Sequence, residues 1–229
     1  MKALILSGGL GQRLKPITDY VPKPLVPLNN IPIIEWQIKY FKKFGINEFV
    51  ICSGYKSDQI MNYLRPKKMG VKIDYSIEKT PLGTGGAIKN ASNFLEDESF
   101  FVINGDVLTN LDPRKLKENP NSIAVIPLRT SFGVVHLNND KVKKFEEKPE
   151  IPKYWMNAGI YYLSKKVLRH LPSKGNIENT AFPVLARMGL LFAVKYEKTF
   201  WYSIDSHKDI EDCANEMKSL NYENFLLKK

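Results

Sequence analysis

The sequence predicts an α/β fold: a mostly parallel mixed sheet flanked by helices, joined to a small β-rich lobe. Two observations support this prediction. Up to about residue 120, short apolar runs typical of buried strands alternate with segments whose apolar residues recur at helical spacing. After that point, several β-rich runs follow one another in quick succession. Alternating strands and helices favour a parallel sheet, because consecutive parallel strands need a crossover connection.

The elements of the first part follow from this alternation. Strands are expected over residues 2–6, 48–53, 71–77 and 100–103, and helices over residues 31–44, 57–64 and 85–94. The first helix is indicated by Ile34, Ile38 and Phe41 at helical spacing, with Gly45 as its stop. Ligands of such sheets bind beyond the carboxyl ends of the strands, so functional residues are expected there.

The second part is predicted to be rich in strands. We expect β-structure over residues 123–128, 134–137, 141–145 and 158–163, and helical structure over residues 165–171 and from about residue 209 onward. This change in the spacing of the elements suggests a strand-rich lobe for the second substrate. No internal repeat or low-complexity linker interrupts the sequence.

Composition places the chain among soluble globular proteins. Its 229 residues suit one domain, and 34 Lys and Arg against 24 Asp and Glu give a net charge of +10. A nucleic-acid partner is not expected, because no arginine-rich run or aromatic-studded basic stripe is present. A lysine-rich surface that attracts small anions explains the charge better.

Cysteine usage and hydropathy indicate a cytoplasmic protein. Cys52 and Cys213 form no CxxC pair, which predicts two buried free thiols in a reducing compartment. The sequence shows no signal-peptide apolar region, and no segment reaches the 18 or so apolar residues of a membrane span. We therefore expect no membrane association.

The first 27 residues carry the clearest functional signal. The apolar run that ends at Leu6 leads into Ser7-Gly8-Gly9-Leu10-Gly11, and two cations, Arg13 and Lys23, follow. Glycine lets backbone N–H groups approach an anion without interference from a Cβ atom. A buried strand that ends in such a turn beside fixed cations is suited to hold a polyphosphate.

Two common phosphate-binding motifs are absent. No stretch supplies the GxxxxGK[ST] of a P-loop. The dinucleotide fingerprint begins at Gly9 and Gly11 but has Leu14 in place of its third glycine, which normally permits close packing of helix on strand. A NAD-type site is therefore disfavoured.

The pattern GG-x-G-x-R-L-x-P-x-T, followed by PKPL-x-P, resembles the signature of sugar-1-phosphate nucleotidyltransferases, the pyrophosphorylases that make nucleotide sugars. The likeness continues through LGTGGAI, NGDV, FEEKP and NAGIY and covers about residues 1–210. It implies a Rossmann-like fold with a nucleotide-binding part over about 1–120, a sugar-binding part over about 121–205 and a C-terminal helix over about 206–229. The β-helix that many members append is not expected here.

The resemblance also implies the reaction and its catalytic residues. An NTP and a sugar-1-phosphate would yield an NDP-sugar and pyrophosphate, with Mg²⁺ as cofactor. Arg13 would lie against the triphosphate, Lys23 would meet the α-phosphate, and Asp106 would hold the metal. The second metal ligand depends on register: a W-x-D pattern selects Ser203, whereas a W-x-x-x-D pattern selects Asp205, which we favour.

The nucleotide site is expected to combine the glycine turn with a second segment. Its predicted members are Leu6, Ser7, Gly8, Gly9, Gly11, Glu78, Pro81, Gly83 and Thr84. Related thymidylyl- and uridylyltransferases tend to carry Gln where this chain has Glu78. A carboxylate only accepts hydrogen bonds, which suits the adjacent N1–H and N2–H₂ of guanine. EKxPLGTGGA also resembles mannose- and heptose-phosphate guanylyltransferases, so GTP is expected, with UTP or dTTP and glucose-1-phosphate as the alternative.

The sugar phosphate is expected to bind in the β-rich part. The resemblance assigns Gly133, Glu147, Lys148, Asn157 and Gly159 to it, with Glu146 as an off-register alternative to Glu147. Mannose-1-phosphate or a heptose-1-phosphate fits a guanylyltransferase. Two other interpretations stay open: a catalytically silent regulatory homologue and a nucleic-acid-binding module. Aromatic and Met residues near the C-terminal helix are compatible with a homodimer face.

Overall fold

A computed structural model of the protein describes residues 1–67, 69–130 and 132–227. Its strands are β1 (Lys2–Ser7), β2 (Pro27–Leu28), β3 (Ile31–Pro32), β4 (Glu48–Ser53), β5 (Lys72–Ile77), β6 (Ser99–Asn104), β7 (Val107–Thr109), β8 (Ser122–Arg129), β9 (Val134–Asn138), β10 (Lys141–Glu146), β11 (Glu150–Ser164), β12 (Phe192–Lys195) and β13 (Trp201–Ser203).

Helices connect and cover these strands. The α-helices are α1 (Ile17–Tyr20), α2 (Ile33–Lys43), α3 (Ser57–Leu64), α4 (Gly83–Asn90), α5 (Ala181–Arg187), α6 (His207–Ser219) and α7 (Tyr222–Leu227). Short 3₁₀ segments are Gln12–Leu14, Lys23–Leu25, Ala91–Phe94, Pro113–Glu118, Lys165–His170 and Ile177–Asn179. None of the helices in the described ranges is long and apolar enough to cross a membrane.

The centre of the fold is a seven-stranded sheet in the order β12-β8-β11-β6-β1-β4-β5. Strand β11 runs antiparallel to its neighbours β6 and β8, and the other pairings are parallel. The predicted mostly parallel mixed sheet is therefore confirmed.

Helices pack on both faces of this sheet, as the alternation of elements predicted. Side chains of a strand point alternately to its two faces. In β1, Ile5 packs with Ile38 and Phe41 of α2 on one face, while Leu4 packs with Ile88 of α4 on the other. These residues are fully buried, so the two faces form the two halves of the core.

The predicted β-rich lobe is smaller than expected. Residues 123–128 and 158–163 lie in β8 and β11 of the central sheet, which leaves the hairpin of β9 and β10 as the protruding part. Periodicity identifies a strand but not the sheet it joins, because that choice depends on partners distant in sequence. Residues 165–171 were expected to be helical and mostly form a 3₁₀ segment, and α5 and β12 were not predicted. Cys52 and Cys213 are buried free thiols, as expected.

A buried acid on α2 stabilises the helix layer. The Glu35 carboxylate accepts hydrogen bonds from Tyr63 Oη at 2.6 Å and Lys67 Nζ at 2.8 Å and pairs with Lys39 Nζ at 3.0 Å. Burial of the Glu35 carboxyl opposes its ionisation, but hydrogen bonds from Lys67, Tyr63 and Lys39 outweigh this effect and lower its pKa to about 2.

We expect Glu35→Gln to lower the free energy of unfolding by about 1–2 kcal/mol at neutral pH, a modest value because both lysines are solvent-screened. A lowered carboxyl pKa stabilises the fold above the unfolded value of about 4.5, and this contribution is lost as the pH falls toward 2. Urea unfolding of both proteins should therefore show a gap at neutral pH that closes in acid. A gap of constant size would contradict this account.

Candidate active site

A cavity of about 580 Å³ opens beyond the carboxyl ends of β1 and β6, which are parallel neighbours in the sheet. All residues predicted to bind the nucleotide or to act in catalysis line it: Leu6, Ser7, Gly8, Gly9, Gly11, Arg13, Lys23, Glu78, Pro81, Gly83, Thr84 and Asp106. The structure thus brings three separate segments of the sequence to one cavity, at the strand ends where the fold class predicts ligands.

The glycine turn after β1 is held by the segment that follows it. Gly11 has a φ of +64°, and a Cβ atom there would lie 2.8 Å from Thr18 Cγ2. Thr18 Oγ1 donates a hydrogen bond to Gly11 O at 2.9 Å. Both the backbone conformation and the close contact require glycine at this position. The threonine of the motif therefore acts as the support of the turn.

Gly105 brings Asp106 to the cavity. The Gly105 N–H donates to Leu6 O at 2.9 Å, and a Cβ atom at Gly105 would lie only 2.3 Å from that oxygen. No other residue fits between the end of β6 and β1 without displacing backbone. Asp106 follows directly and faces the cavity.

Asp205 reaches Asp106 through a second strand pair. Strands β7 and β13 are antiparallel, with Ser203 opposite Val107, and Ile204 N donates to Asp106 O at 2.9 Å. Asp205 therefore lies beside the site, whereas Ser203 Oγ donates a hydrogen bond to Asp205 Oδ2 at 3.0 Å. Of the two registers left open by the sequence, the structure places the Asp205 carboxylate next to the Lys23 ammonium, while the Ser203 hydroxyl contacts the other oxygen of that carboxylate.

Two cations meet these carboxylates. Lys23 Nζ lies 2.8 Å from Asp106 Oδ2 and 2.7 Å from Asp205 Oδ1, and Arg13 Nη2 lies 2.8 Å from Asp205 Oδ1. The Lys23 side chain is only 14% exposed, while that of Arg13 is 74% exposed. Burial opposes ionisation of Asp205, but Lys23, with help from Ser203 and Arg13, lowers its pKa. Asp205 is therefore an anion at neutral pH.

This pair of acids fits a magnesium ion shared with a phosphate. The two carboxylates converge on one cation, the Lys23 ammonium, so their oxygens are close enough to hold a single positive centre. Mg²⁺ usually binds through one or two carboxylates and completes its shell with water and substrate phosphates. No group of three or more His, Cys, Asp or Glu in the described residues could hold a metal without such help.

Glu78 lies against the glycine turn, at the end of β5. Its carboxylate accepts a hydrogen bond from Leu82 N at 3.0 Å, and a Cβ atom on Gly8 would lie 2.5 Å from Glu78 Oε1. A side chain at position 8 would therefore displace the Glu78 carboxylate from this place. Burial raises the pKa of Glu78, and the Leu82 N–H offsets this in part.

Two buried polar atoms at the cavity have no hydrogen-bond partner among the described residues: Ser7 Oγ and Asn104 Oδ1. Buried polar groups are nearly always paired, because an unmade hydrogen bond is costly. Such atoms are suited to partners supplied by a ligand. Asn104 belongs to the NGDV segment, whose motif could have indicated it.

The residues predicted to bind the sugar phosphate fall into two groups. Asn157 and Gly159 lie near the cavity, since a Cβ atom on Gly159 would lie 2.8 Å from Asn104 Nδ2. Gly133, Glu147 and Lys148 lie at the base of the β9–β10 hairpin; a Cβ atom on Gly133 would lie 3.2 Å from Glu147 Oε2, and Lys148 Nζ lies 3.8 Å from Glu147 Oε1.

No hydrogen bond or ion pair between described residues joins the hairpin group to Asn157. The alternative Glu146 is engaged within the hairpin instead, with Lys144 Nζ at 2.8 Å and His136 Nε2 at 2.7 Å. Lys144 and then His136 lower the pKa of Glu146. Glu147, 65% exposed, remains the acid beside Gly133.

One acid near the site was not predicted. Glu178 accepts hydrogen bonds from Thr84 Oγ1 at 2.6 Å and from Tyr161 Oη at 3.2 Å. It follows Asn176, which lines the cavity. Nothing in the local pattern of residues 172–180 indicates this role, because the contact depends on how that segment docks onto α4.

The chain belongs to the nucleotidyl transferase family, because the model of that family matches residues 2–219. It is 42% identical over 172 residues to D-glycero-alpha-D-manno-heptose 1-phosphate guanylyltransferase of Campylobacter jejuni, covering 73% of this chain and 77% of that protein. It is 37% identical over 224 residues to mannose-1-phosphate guanylyltransferase catalytic subunit beta of Dictyostelium discoideum, covering 91% of this chain and 62% of that protein.

The fold also matches solved structures. The crystal structure of HddC from Yersinia pseudotuberculosis superposes with a TM-score of 0.75 at 30% sequence identity, covering 94% of this chain and 99% of that one. A second structure of HddC, complexed with GMP-PN, matches equally well. The family resemblance stated from the sequence is confirmed.

Proposed function

We propose that this protein is a Mg²⁺-dependent sugar-1-phosphate guanylyltransferase, which joins GMP from GTP to mannose-1-phosphate or a related heptose-1-phosphate and releases pyrophosphate. The observation that carries the proposal is the meeting of Lys23, Arg13, Asp106 and Asp205 beside a glycine turn, at the edge of one cavity. The curated relatives named above are guanylyltransferases of these two sugar classes.

The proposed reaction needs no enzymatic base. A sugar phosphate has a second pKa near 6, so its attacking oxygen is largely ionised at neutral pH. That oxygen forms a bond to the α-phosphorus of GTP while the bond to the bridging β-phosphate oxygen breaks, and pyrophosphate leaves with the electron pair. The barrier comes from repulsion between two polyanions and from charge on the leaving group, so positioning and positive charge are required.

The residues of the cavity fit these requirements. Lys23, which is only 14% exposed and lies between two prolines, would contact the α-phosphate, and the exposed Arg13 would stabilise the departing pyrophosphate. Asp106 and Asp205 would hold Mg²⁺, which when bound would neutralise charge on the phosphate oxygens. Glu147 would accept hydrogen bonds from sugar hydroxyls, and Lys148 would neutralise the sugar phosphate.

The test of this function is pyrophosphate release from each of the four NTPs, combined with mannose-1-phosphate, D-glycero-α-D-manno-heptose 1-phosphate and glucose-1-phosphate. GTP with one of the first two should give the fastest release, and chelation of divalent cations should abolish it. Fastest release with UTP or dTTP would replace guanine as the base. Silence in every combination would favour a regulatory homologue.

Base choice is expected to depend on Glu78. Glu78→Gln should lower the preference for GTP over UTP or dTTP by on the order of tenfold, because an amide loses one acceptor for guanine and gains a donor for a pyrimidine carbonyl. Since the pKa of Glu78 is raised, the wild-type preference should also weaken as the pH falls through that pKa. Competition assays with paired NTPs measure both effects. Glu96→Gln, an exposed change outside the cavity, is the control. An unchanged ratio would remove Glu78 from base selection.

We also propose that the enzyme is cytoplasmic. Two buried free thiols fit a reducing compartment, and nucleoside triphosphates are available there.

A further inference from the structure

A continuous chain of hydrogen bonds runs from the nucleotide loop to the predicted sugar site. Thr84 Oγ1 donates to Glu178 Oε2 at 2.6 Å, and Tyr161 Oη donates to Glu178 Oε1 at 3.2 Å. Tyr161 Oη in turn accepts from Asn157 Nδ2 at 2.9 Å, and Asn157 Oδ1 accepts from Gly159 N at 3.0 Å. Glu178 is therefore the link between Thr84, which lines the nucleotide cavity, and Asn157.

Glycines in the LGTGG segment allow this link to form. A Cβ atom on Gly83 would lie 2.7 Å from Asn176 Oδ1, and one on Gly86 would lie 2.8 Å from Ser173 O. The N–H groups of Gly85 and Gly86 both donate to Gly175 O, at 3.0 and 3.1 Å. The start of α4 therefore lies directly on the segment before Glu178, and side chains at these positions would separate the two.

Each hydroxyl in this series of hydrogen bonds donates its proton in a fixed direction. The Thr84 hydroxyl accepts from Ile177 N at 2.9 Å, so its proton is committed to Glu178. The buried Tyr161 hydroxyl uses its only proton on the other carboxylate oxygen. Burial and the nearby Glu178 raise the pKa of Tyr161, so it remains a donor at neutral pH.

The same series of hydrogen bonds determines which hydrogen-bonding groups of Asn157 remain available to a ligand. Its Oδ1 and one N–H are occupied by Gly159 and Tyr161, which sets the amide orientation. One N–H and one oxygen lone pair remain, and the Asn157 side chain is exposed. A donor and an acceptor side by side match a pair of neighbouring sugar hydroxyls.

The hydrogen bonds that the Glu178 carboxylate accepts among the described residues come from two hydroxyl groups, those of Thr84 and Tyr161. We propose that Glu178 is a positioning residue for the sugar-1-phosphate: through Tyr161 it orients Asn157, and through Thr84 it ties that orientation to the nucleotide loop. The inference rests on the proposed transferase function, and it predicts that the two substrate sites are mechanically coupled.

Steady-state kinetics with GTP and mannose-1-phosphate provide the first test. In Glu178→Gln, the amide oxygen can still accept from Thr84, but the NH₂ group cannot accept from Tyr161. KM for mannose-1-phosphate should rise by roughly tenfold, while KM for GTP should change less than about twofold, since the nucleotide has many other anchors. A residue that only stabilised the fold would lower the melting temperature and leave both KM values unchanged.

A mutant cycle tests the coupling itself. No hydrogen bond joins Thr84 to Tyr161 directly in the residues that the structure describes, and both hydroxyls donate to Glu178, so coupling through hydrogen bonds passes through that carboxylate. The effects of Thr84→Val and Tyr161→Phe on KM for mannose-1-phosphate should be non-additive by roughly fivefold in the wild-type background and additive in the Glu178→Gln background. Additivity in both backgrounds would overturn the proposal.

A second pair of residues supplies matched controls. Tyr63 Oη donates to Glu35 Oε2 at 2.6 Å, on helices outside the cavity. Glu35→Gln and Tyr63→Phe repeat the same chemical changes and should leave both KM values as they are.

Hydrogen exchange of the Gly159 amide, measured without any substrate, is independent of activity. It should be several-fold faster in Tyr161→Phe and in Glu178→Gln, because the Asn157 amide that accepts this N–H is released. A wild type that released no pyrophosphate would refute the proposed function, while the exchange result would still decide the role of Glu178. Unchanged exchange together with unchanged KM for mannose-1-phosphate would refute the positioning role alone.

Discussion

Replacing Lys23 by alanine is expected to lower turnover at least about a hundredfold, consistent with the loss of one strong charge stabiliser. The Lys23 side chain is 14% exposed, and its ammonium lies within 2.8 Å of the carboxylates of Asp106 and Asp205, which follow two different strands. A cation at that depth interacts more strongly with a phosphate than one in bulk water. Arg13, although close, is too exposed to replace it.

The loss of turnover in Lys23→Ala should arise in the chemical step. The Lys23 ammonium faces the acids in the free protein, and the proposed α-phosphate contact forms only with substrate. We therefore expect single-turnover pyrophosphate release at saturating GTP to slow by the full factor, with a smaller change in the affinity for GTP. Titration calorimetry with a non-hydrolysable GTP analogue measures that affinity.

A neighbouring lysine provides the matched control. Lys15 belongs to the same motif segment but is 58% exposed, pairs with Asp19 at 3.0 Å and lies outside the cavity lining. Lys15→Ala should turn over at a near-normal rate. Equal rates in Lys23→Ala and the wild type would remove Lys23 from the mechanism.

The sequence could predict the nucleotide side of the site because its parts are local. Gly8, Gly11 and Asp106 each lie within a few residues of the end of a buried strand, and neighbouring parallel strands end at the same edge of a sheet. The prediction of these two parallel strands is therefore also a prediction that their carboxyl ends lie close together. Lys23 could be predicted from a short motif that lies within 20 or so residues of the turn.

The other parts of the site depend on contacts between distant segments. Asp205 lies beside Asp106 because β13 pairs with β7, and three-residue strands leave almost no periodic signal. Glu178 reaches Thr84 because the segment before it packs onto the glycines of α4. The local sequence predicted these glycines only as part of a nucleotide-binding loop. The β-rich lobe was overestimated for the same reason, since β8 and β11 pair with strands far away in the chain.

Asp205→Asn is expected to lower turnover by at least about a hundredfold, comparable to removal of one strong electrostatic partner. Asparagine keeps the shape and can still accept from the Ser203 hydroxyl, so the change removes charge and little else. The lowered pKa of Asp205 means that the wild-type group is ionised throughout the neutral range, and the variant differs from it at every working pH.

The Asp205→Asn variant should also require a higher Mg²⁺ concentration. If Asp205 shares Mg²⁺ with Asp106, removing its charge should raise the Mg²⁺ concentration for half-maximal pyrophosphate release by roughly tenfold or more. Metal titrations of the rate measure this directly. Mn²⁺ bound in the presence of a non-hydrolysable GTP analogue, followed by electron paramagnetic resonance, gives the same comparison without turnover.

Ser203→Ala separates the two registers that the sequence left open. Ser203 donates one hydrogen bond to Asp205 Oδ2, whereas the contacts of Lys23 and Arg13 in the described part of the chain are with the carboxylates of Asp106 and Asp205. Its loss should therefore cost less than about tenfold, the usual scale for one hydrogen bond to a charged group that keeps its other partners. If instead Ser203→Ala were the more damaging change and Asp205→Asn left the metal requirement unaltered, Asp205 would be a structural counter-ion for Lys23 and the metal would have to bind through Asp106 and substrate alone.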